Sequence, residues 1–219
     1  MIQALYKSLP DYKIFNLWHN LIALLILSTL SGCTIFNSPP KDASPNTTYF
    51  NWAQTKQVIQ HQTHWSLIGK IGIRTPEDSL TIAINKWTQE NDSFEIDLSS
   101  TFFGLGASTL QGNNQFLTLI ESGEPPVSSD QPNNLMETAL GFPLPITYLS
   151  YWVKGLPAPG LIAKIEFNQQ GLPSTIRQHH WQLDFSNYRL ENGIPLPGKI
   201  KLKQNNTRII LAIKKWTLP

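Results

Sequence analysis

From Trp65 to the end of the chain, apolar and polar side chains alternate with a period of two in run after run, and this limits the fold more than any other feature. Residues 66–74 (SLIGKIGIR), 79–89 (SLTIAINKWTQ) and 93–100 (SFEIDLSS) are β-favouring runs of strand length. The turn sequences Pro76-Glu77-Asp78 and Glu90-Asn91-Asp92 separate them. Residues 108–112 and 115–122 continue the meander across Gly112-Asn113-Asn114. Alternation resumes at 161–168, 174–190, 198–204 and 207–218, with Asn168-Gln169-Gln170-Gly171 and Gln204-Asn205-Asn206 as hairpin connections. Counting these runs predicts one antiparallel sheet of about nine to eleven strands. A sheet that wide in a small domain must curl, towards a sandwich or a barrel.

Two helical stretches interrupt the strands. Residues 134–141 and 146–153 have helical spacing and are split by Gly141-Phe142-Pro143-Leu144-Pro145. Gly141 can end the first helix, Pro145 can occupy the first turn of the second, and Gly155-Leu156-Pro157 stops it. Upstream, residues 48–62 lack Gly and Pro, and Thr47 or Thr48 can cap a helix there. The fold class is therefore mainly β with inserted helices.

The amino-terminal part has a different character. Residues 21–30 (LIALLILSTL) are too short to span a bilayer, which takes ~20 apolar residues, but they fit the apolar core of a signal peptide. Lys7 and Lys13 precede this run, and Leu30-Ser31-Gly32-Cys33 follows it. Small residues before a lone cysteine at that place resemble the bacterial lipobox. The resemblance implies cleavage before Cys33, diacylglycerol on its thiol and a third acyl chain on the new amino terminus. Thr34, where Asp would suggest inner-membrane retention, points by analogy to the outer membrane. The long stretch before the apolar run suggests a start codon downstream of Met1. Residues 34–47 are rich in Pro, Ser, Asn and Asp and suit a tether. The expected organisation is thus 1–32 signal peptide, 33–47 lipidated cysteine and flexible tether, and 48–219 a single domain.

Composition narrows the functional classes. A net charge of +2 is too small for bulk nucleic-acid binding. One cysteine excludes an intrachain disulfide and a cysteine-based zinc site. His179-His180 is the one histidine pair, and neighbours on a strand point to opposite faces, a poor arrangement for one metal. Neither a Gly-x-Ser-x-Gly motif nor a P-loop is present. The sequence calls for no catalytic residue, no metal and no cofactor. Seven Trp, ten Phe and six Tyr suit an apolar cavity or an ordinary β-rich core.

One long motif carries a family resemblance. Leu140-Gly141-Phe142-Pro143-Leu144-Pro145 is followed by Leu149, Trp152 and Gly155-Leu156-Pro157. Trp65, Gly69-Lys70, Leu196-Pro197 and the closing Ile209-x-Leu211-x-Ile213-x-x-Trp216 accompany it. Together they resemble the LolB family of outer-membrane lipoproteins over most of residues 48–218. The related soluble carrier LolA shares the fold but has no lipobox, so Cys33 separates the two. The resemblance implies an unclosed antiparallel β-barrel, a half-barrel, with an α-helical lid over an apolar cavity. It also implies a non-enzymatic role, that of taking triacylated lipoproteins from a LolA-type periplasmic carrier and inserting them into the outer membrane. The implied partners are that carrier, the acyl chains of the cargo and outer-membrane lipids, and the protein is expected to be a monomer. The alternative from a different class is a scaffolding outer-membrane lipoprotein in envelope assembly. A lipid-modifying enzyme is a third possibility, which would need a convergent polar cluster near the cavity.

Such work requires a concave apolar surface and no covalent step. Candidate acyl-chain contacts are Trp52, Trp87, Phe94, Ile96, Leu98, Leu119, Leu149, Trp152 and Trp181, each of which also suits plain core packing. Between two strands lies Thr101-Phe102-Phe103-Gly104-Leu105-Gly106, an apolar loop where polar turn residues are usual. In the family this loop protrudes and its apolar residue acts in membrane insertion. The resemblance places Phe103 there, flanked by Phe102 and Leu105, while packing back into the core is the other reading. Finally, Lys199, Lys201 and Lys203 share a face opposite Ile200 and Leu202, with Arg208, Lys214 and Lys215 following. That face suits anionic lipid or an acidic partner rim, or else a solvated or edge-protected strand.

Overall fold

The computed structural model describes residues 48–99 and 106–219. The long alternating runs pair as expected. Strands β1 (His64–Arg74), β2 (Ser79–Glu90) and β3 (Ser93–Leu98) form a meander, continued by β4 (Ser108–Gly112), β5 (Leu117–Glu121) and the short β6 (Val127–Ser129). The second half contributes β7 (Ala163–Phe167), β8 (Pro173–Gln178), β9 (Trp181–Ser186), β12 (Lys199–Gln204) and β13 (Thr207–Thr217). β13 returns to pair with β1, so the two halves join through two 11-residue strands, and β12 pairs with β9. The result is an 11-stranded antiparallel sheet in the order β6-β5-β4-β3-β2-β1-β13-β12-β9-β8-β7. Its outer strands, β6 and β7, do not pair with each other, so the barrel is unclosed. A separate hairpin, β10 (Arg189–Glu191) with β11 (Ile194–Leu196), turns at Asn192-Gly193, both with positive φ.

Alternation decides which face is dry. On β12, Ile200 and Leu202 are buried while Lys201 is exposed. On β3, Phe94, Ile96 and Leu98 are buried and Glu95 is exposed. The register of β1 slips at Ile68/Gly69, where a Cβ on Gly69 would overlap the Ala212 carbonyl oxygen. Glycine there lets the β1 and β13 backbones approach at the bulge.

Among the described residues, three short helices accompany the sheet. Helix α1 (Trp52–Gln60) is capped by Asn51, whose Oδ1 accepts from the Gln54 amide at 3.2 Å, rather than by Thr47 or Thr48. Helix α2 (Pro132–Leu140) ends at Gly141 in the left-handed conformation, its amide donating to the Glu137 carbonyl at 2.8 Å. Helix α3 (Ile146–Trp152) begins just after Pro145, which is its N-cap rather than part of its first turn. Helices α2 and α3 with the loop between them bury Met136, Phe142, Leu144, Ile146 and Trp152 in the same core as the inner face of the sheet. They form a lid over an open half-barrel.

The carboxyl end of the lid is pinned by Gln178, which is 3% exposed at the end of β8. Its Oε1 accepts from Trp152 Nε1 at 3.0 Å and from the Ala158 amide at 2.8 Å. Its Nε2 donates to the Ala158 carbonyl at 2.8 Å and to the Leu161 carbonyl at 3.2 Å. Replacing it leaves a buried indole N–H and a buried amide without partners, at ~1–3 kcal/mol each. Gln178→Leu is therefore expected to lower unfolding stability by roughly 2 kcal/mol or more. Urea denaturation followed by tryptophan fluorescence measures this, and an unchanged midpoint would show that the clamp contributes nothing.

Candidate lipid-binding chamber

Between lid and sheet lies a small space with a wholly apolar lining. Ile71, Ile84 and Trp87 of β1 and β2 form one wall. Ile200 and Leu202 of β12 with Ile209 and Leu211 of β13 form the floor. Leu144, Leu149, Trp152 and Val153 of the lid close it from above. Its free volume is about 30 Å³, close to the ~30 Å³ share of one water in the liquid. A fatty acyl chain is many times larger, so the lid must move before one can enter.

Of the residues singled out in the sequence, Trp87, Leu149 and Trp152 line this chamber. The others lie in or against the same continuous core. Ile96 and Leu98 of β3 and Leu119 of β5 are buried on the inner face further along the sheet. Phe94 of β3 lines a neighbouring polar cleft together with Trp87. Trp181 is buried 6.4 Å from the Trp152 ring. Trp52 is half-buried at the start of α1 and packs against Phe167, ring centroids 5.9 Å apart. The contributions of β12 and β13 went unnamed as candidates, although Ile200 and Leu202 alternate with lysines and thereby signal an inner face.

Cys33, Phe102, Phe103 and Leu105 lie outside the described residues. The basic strand differs in part from expectation. β12 is an interior strand between β13 and β9, so its lysines do not protect an edge. Lys203 pairs with Asp184 of β9 at 2.7 Å. Burial alone would raise the Asp184 carboxyl, but the Lys203 hydrogen bond and charge, with bonds from Gln182 and Thr175, hold it below its ordinary value. His179 and His180 are not strand neighbours either. They form the two-residue turn of the β8–β9 hairpin, with φ of 51° and 65°, and His179 packs edge-on against Tyr148. No group of three His, Cys, Asp or Glu among the described residues is placed to hold a metal ion.

The chain was compared with known proteins. The family model described as "Outer membrane lipoprotein LolB" matches residues 63–216. An outer-membrane lipoprotein LolB from Cellvibrio japonicus is 36% identical over 207 residues, covering 90% of this chain and 96% of that protein. One from Stutzerimonas stutzeri is 31% identical, covering 92% and 96% respectively. Among solved structures, a LolA superfamily protein from Nitrosomonas europaea aligns with a TM-score of 0.48 at 9% identity, over 74% of this chain and 93% of its own. The family match spans the whole run from β1 to β13, lid included, and the chain belongs to the LolB family of outer-membrane lipoproteins.

Proposed function

We propose that this protein receives triacylated lipoproteins from a LolA-type periplasmic carrier and places them in the outer membrane, to which it is itself anchored by lipid. The observation that carries this reading is the apolar chamber, walled by a short helical lid on one side and an open sheet on the other. Acyl chains in water are disfavoured by ~0.8 kcal/mol per CH₂, and such a chamber removes that cost without any covalent chemistry. The chamber is made by one chain, so a monomer suffices. A scaffold that only held a partner would have no use for an apolar space beneath a helical lid.

Anchoring falls to Cys33 and membrane insertion to the loop of Phe102, Phe103 and Leu105, which connects β3 to β4. Aromatic side chains suit the membrane interface. Outer-membrane lipids are the final acceptor.

Two substitutions separate uptake from delivery. Leu149→Glu places a charge on the half-buried lid residue that faces the chamber. It should cut capture of acylated lipoprotein by about tenfold or more while the fold persists. The assay loads cargo on the carrier, adds the Cys33→Ala chain with or without the change, and separates the complexes; equal capture would remove the chamber from the mechanism. Phe103→Glu should leave capture intact and impair release of cargo into liposomes by about tenfold. Normal delivery by that variant would mean Phe103 is not the membrane wedge.

A further inference from the structure

The outer face of the sheet is divided by charge. Alternation turns Ile200 and Leu202 inward on β12 and Lys199, Lys201 and Lys203 outward, and the strands beside it follow the same parity. Register then aligns the last outward position of each strand. Arg74 of β1 stands opposite Arg208 of β13, and Arg208 opposite Lys203 of β12. Lys203 stands opposite Gln182 of β9, Gln182 opposite Arg177 of β8, and Arg177 opposite Lys164 of β7. Adjacent strands lie ~4.8 Å apart, so these cations form one row about 24 Å long. The turns after Arg74, Gln178 and Gln204 all open at this end, so the row marks one rim of the half-barrel.

Like charges directly opposite each other work against strand pairing, and Arg74–Arg208 and Arg208–Lys203 are both such pairs. Two carboxylates answer the row: Asp184 pairs with Lys203 at 2.7 Å, and Glu166 pairs with Arg177. Among the described residues no ion pair joins Arg74, Arg208 or Lys164, and all three are exposed. Lys201 adds to the same face in the next row, and Lys199 and Lys70 in the one after. Glu77 and Asp78, in the turn that follows Arg74, lie at the end of the row rather than along it. On β3 the outward residues are Glu95 and Asp97, so the positive half runs from β1 to β7 only.

Ile162 lies at the β7 end of the row. It stands two residues before Lys164, with the same outward parity, and is 96% exposed. Gln178 Nε2 donates to the Leu161 carbonyl at 3.2 Å, which pins the backbone beside it. Ile162 lines one shallow hollow together with Arg177, Gln182 and Lys203. A single exposed isoleucine is ordinary. One fixed beside a row of cations has the composition of a membrane-interface surface, an apolar foot within a basic border.

We propose that this rim, the cation row with Ile162 at its end, docks on the anionic phospholipid surface of the outer membrane. The same rim is where β3 passes into β4, with Leu98 opposite Ser108, and that connection was given the membrane-insertion role above. The inference rests on that reading for its orientation. A bilayer offers continuous negative charge over the length of the row and an apolar depth beside it. Each Lys or Arg near such a surface strengthens binding by about fivefold. Residues 34–47, at most ~3.3–3.6 Å each, are long enough to let either rim face the bilayer, so the anchor alone does not choose one.

The test uses the full lipidated chain in vesicles, where acylation of Cys33 leaves an introduced cysteine as the free thiol. A bimane label is placed on Asn206→Cys in the β12–β13 turn, at this rim, or on Gln169→Cys in the β7–β8 turn, at the opposite rim; both positions are exposed. The vesicles are phosphatidylcholine alone or mixed with phosphatidylglycerol, and carry a headgroup spin-labelled lipid that quenches bimane on contact. Phosphatidylglycerol is expected to raise quenching at Asn206→Cys several-fold, to leave Gln169→Cys unchanged, and to lose this effect in high salt. Arg208→Gln combined with Lys164→Gln should reduce the gain by about tenfold or more. Ile162→Ser should reduce it by about threefold. Equal quenching in both kinds of vesicle, or a gain that these variants leave intact, overturns the proposal. So does an Asn206→Cys label that lipid never quenches but that added carrier shields from aqueous iodide, which would assign the face to an acidic protein. Cargo capture from the carrier by the same preparations is scored separately: capture without docking removes the rim alone, and docking without capture removes the transfer reading alone.

Discussion

The inner face of the sheet has to be kept from water, and the sheet does not achieve this by closing on itself. β6 and β7 remain unpaired with each other, and the apolar positions of the central strands need a cover that is not another strand. Helices α2 and α3 supply it. Nine and seven residues long, they are too short to hold their conformation alone, since isolated helices under ~12 residues are marginal in water. Their stability comes from Met136, Leu144, Ile146 and Trp152 packed on the sheet. Where a cover is held by apolar contact, it can be exchanged for another apolar cover. An acyl chain entering the chamber would bury the same strand side chains that the lid now buries, so opening and loading oppose each other only weakly in free energy.

The lid is anchored unequally. At its carboxyl end four hydrogen bonds converge on Gln178, Gly155 turns the chain with φ of 77°, and the Tyr188 hydroxyl lies 3.1 Å from where a Cβ on that glycine would sit. Tyr188 in turn donates to the Pro173 carbonyl at 2.8 Å. At the other end neither α2 nor α3 has a side-chain cap, and the contact between them is Asn133 Oδ1 with Thr147 at 3.4–3.5 Å. That is near the limit for a hydrogen bond. Directional bonds therefore fix the region around Trp152, while packing alone holds Phe142 and Leu144. Directional bonds are lost abruptly on displacement, whereas dispersion contacts can be traded for others.

How much of this could be read in the sequence depends on the range of the interaction involved. Alternation is local, so the strands, the Gln204-Asn205-Asn206 hairpin and the Gly141 helix end were legible. The His179-His180 turn was not, because neither residue is a usual left-handed one and β8 and β9 read as one run. The β-barrel rather than the sandwich came from resemblance to a family; counting strands left both open. Gln178, a lone polar residue in a strand, carries no sign of four hydrogen bonds to three residues that lie 17 to 26 positions away in sequence. Of the expected chamber residues, Trp87, Leu149 and Trp152 do line it, while Ile96, Leu98 and Leu119 share its face but sit under other parts of the core. Hydrophobicity selects the face; position along the sheet is a tertiary fact.

Lys154 shows the same limit from the opposite side. A lysine just before Gly-Leu-Pro at a helix end reads as solvent-exposed, and its last-turn position suits a cation. The fold instead carries it under the lid, 7% exposed and far from any carboxylate partner among the described residues. An ammonium in that setting opposes folding unless something balances it, and a leucine or methionine of similar length would pack there without that cost. Trp65 and Trp87 present a related difficulty, since each buries an indole N–H that has no partner. Lys154, Trp65 and Trp87 thus each bring under the lid a polar atom that plain packing does not call for.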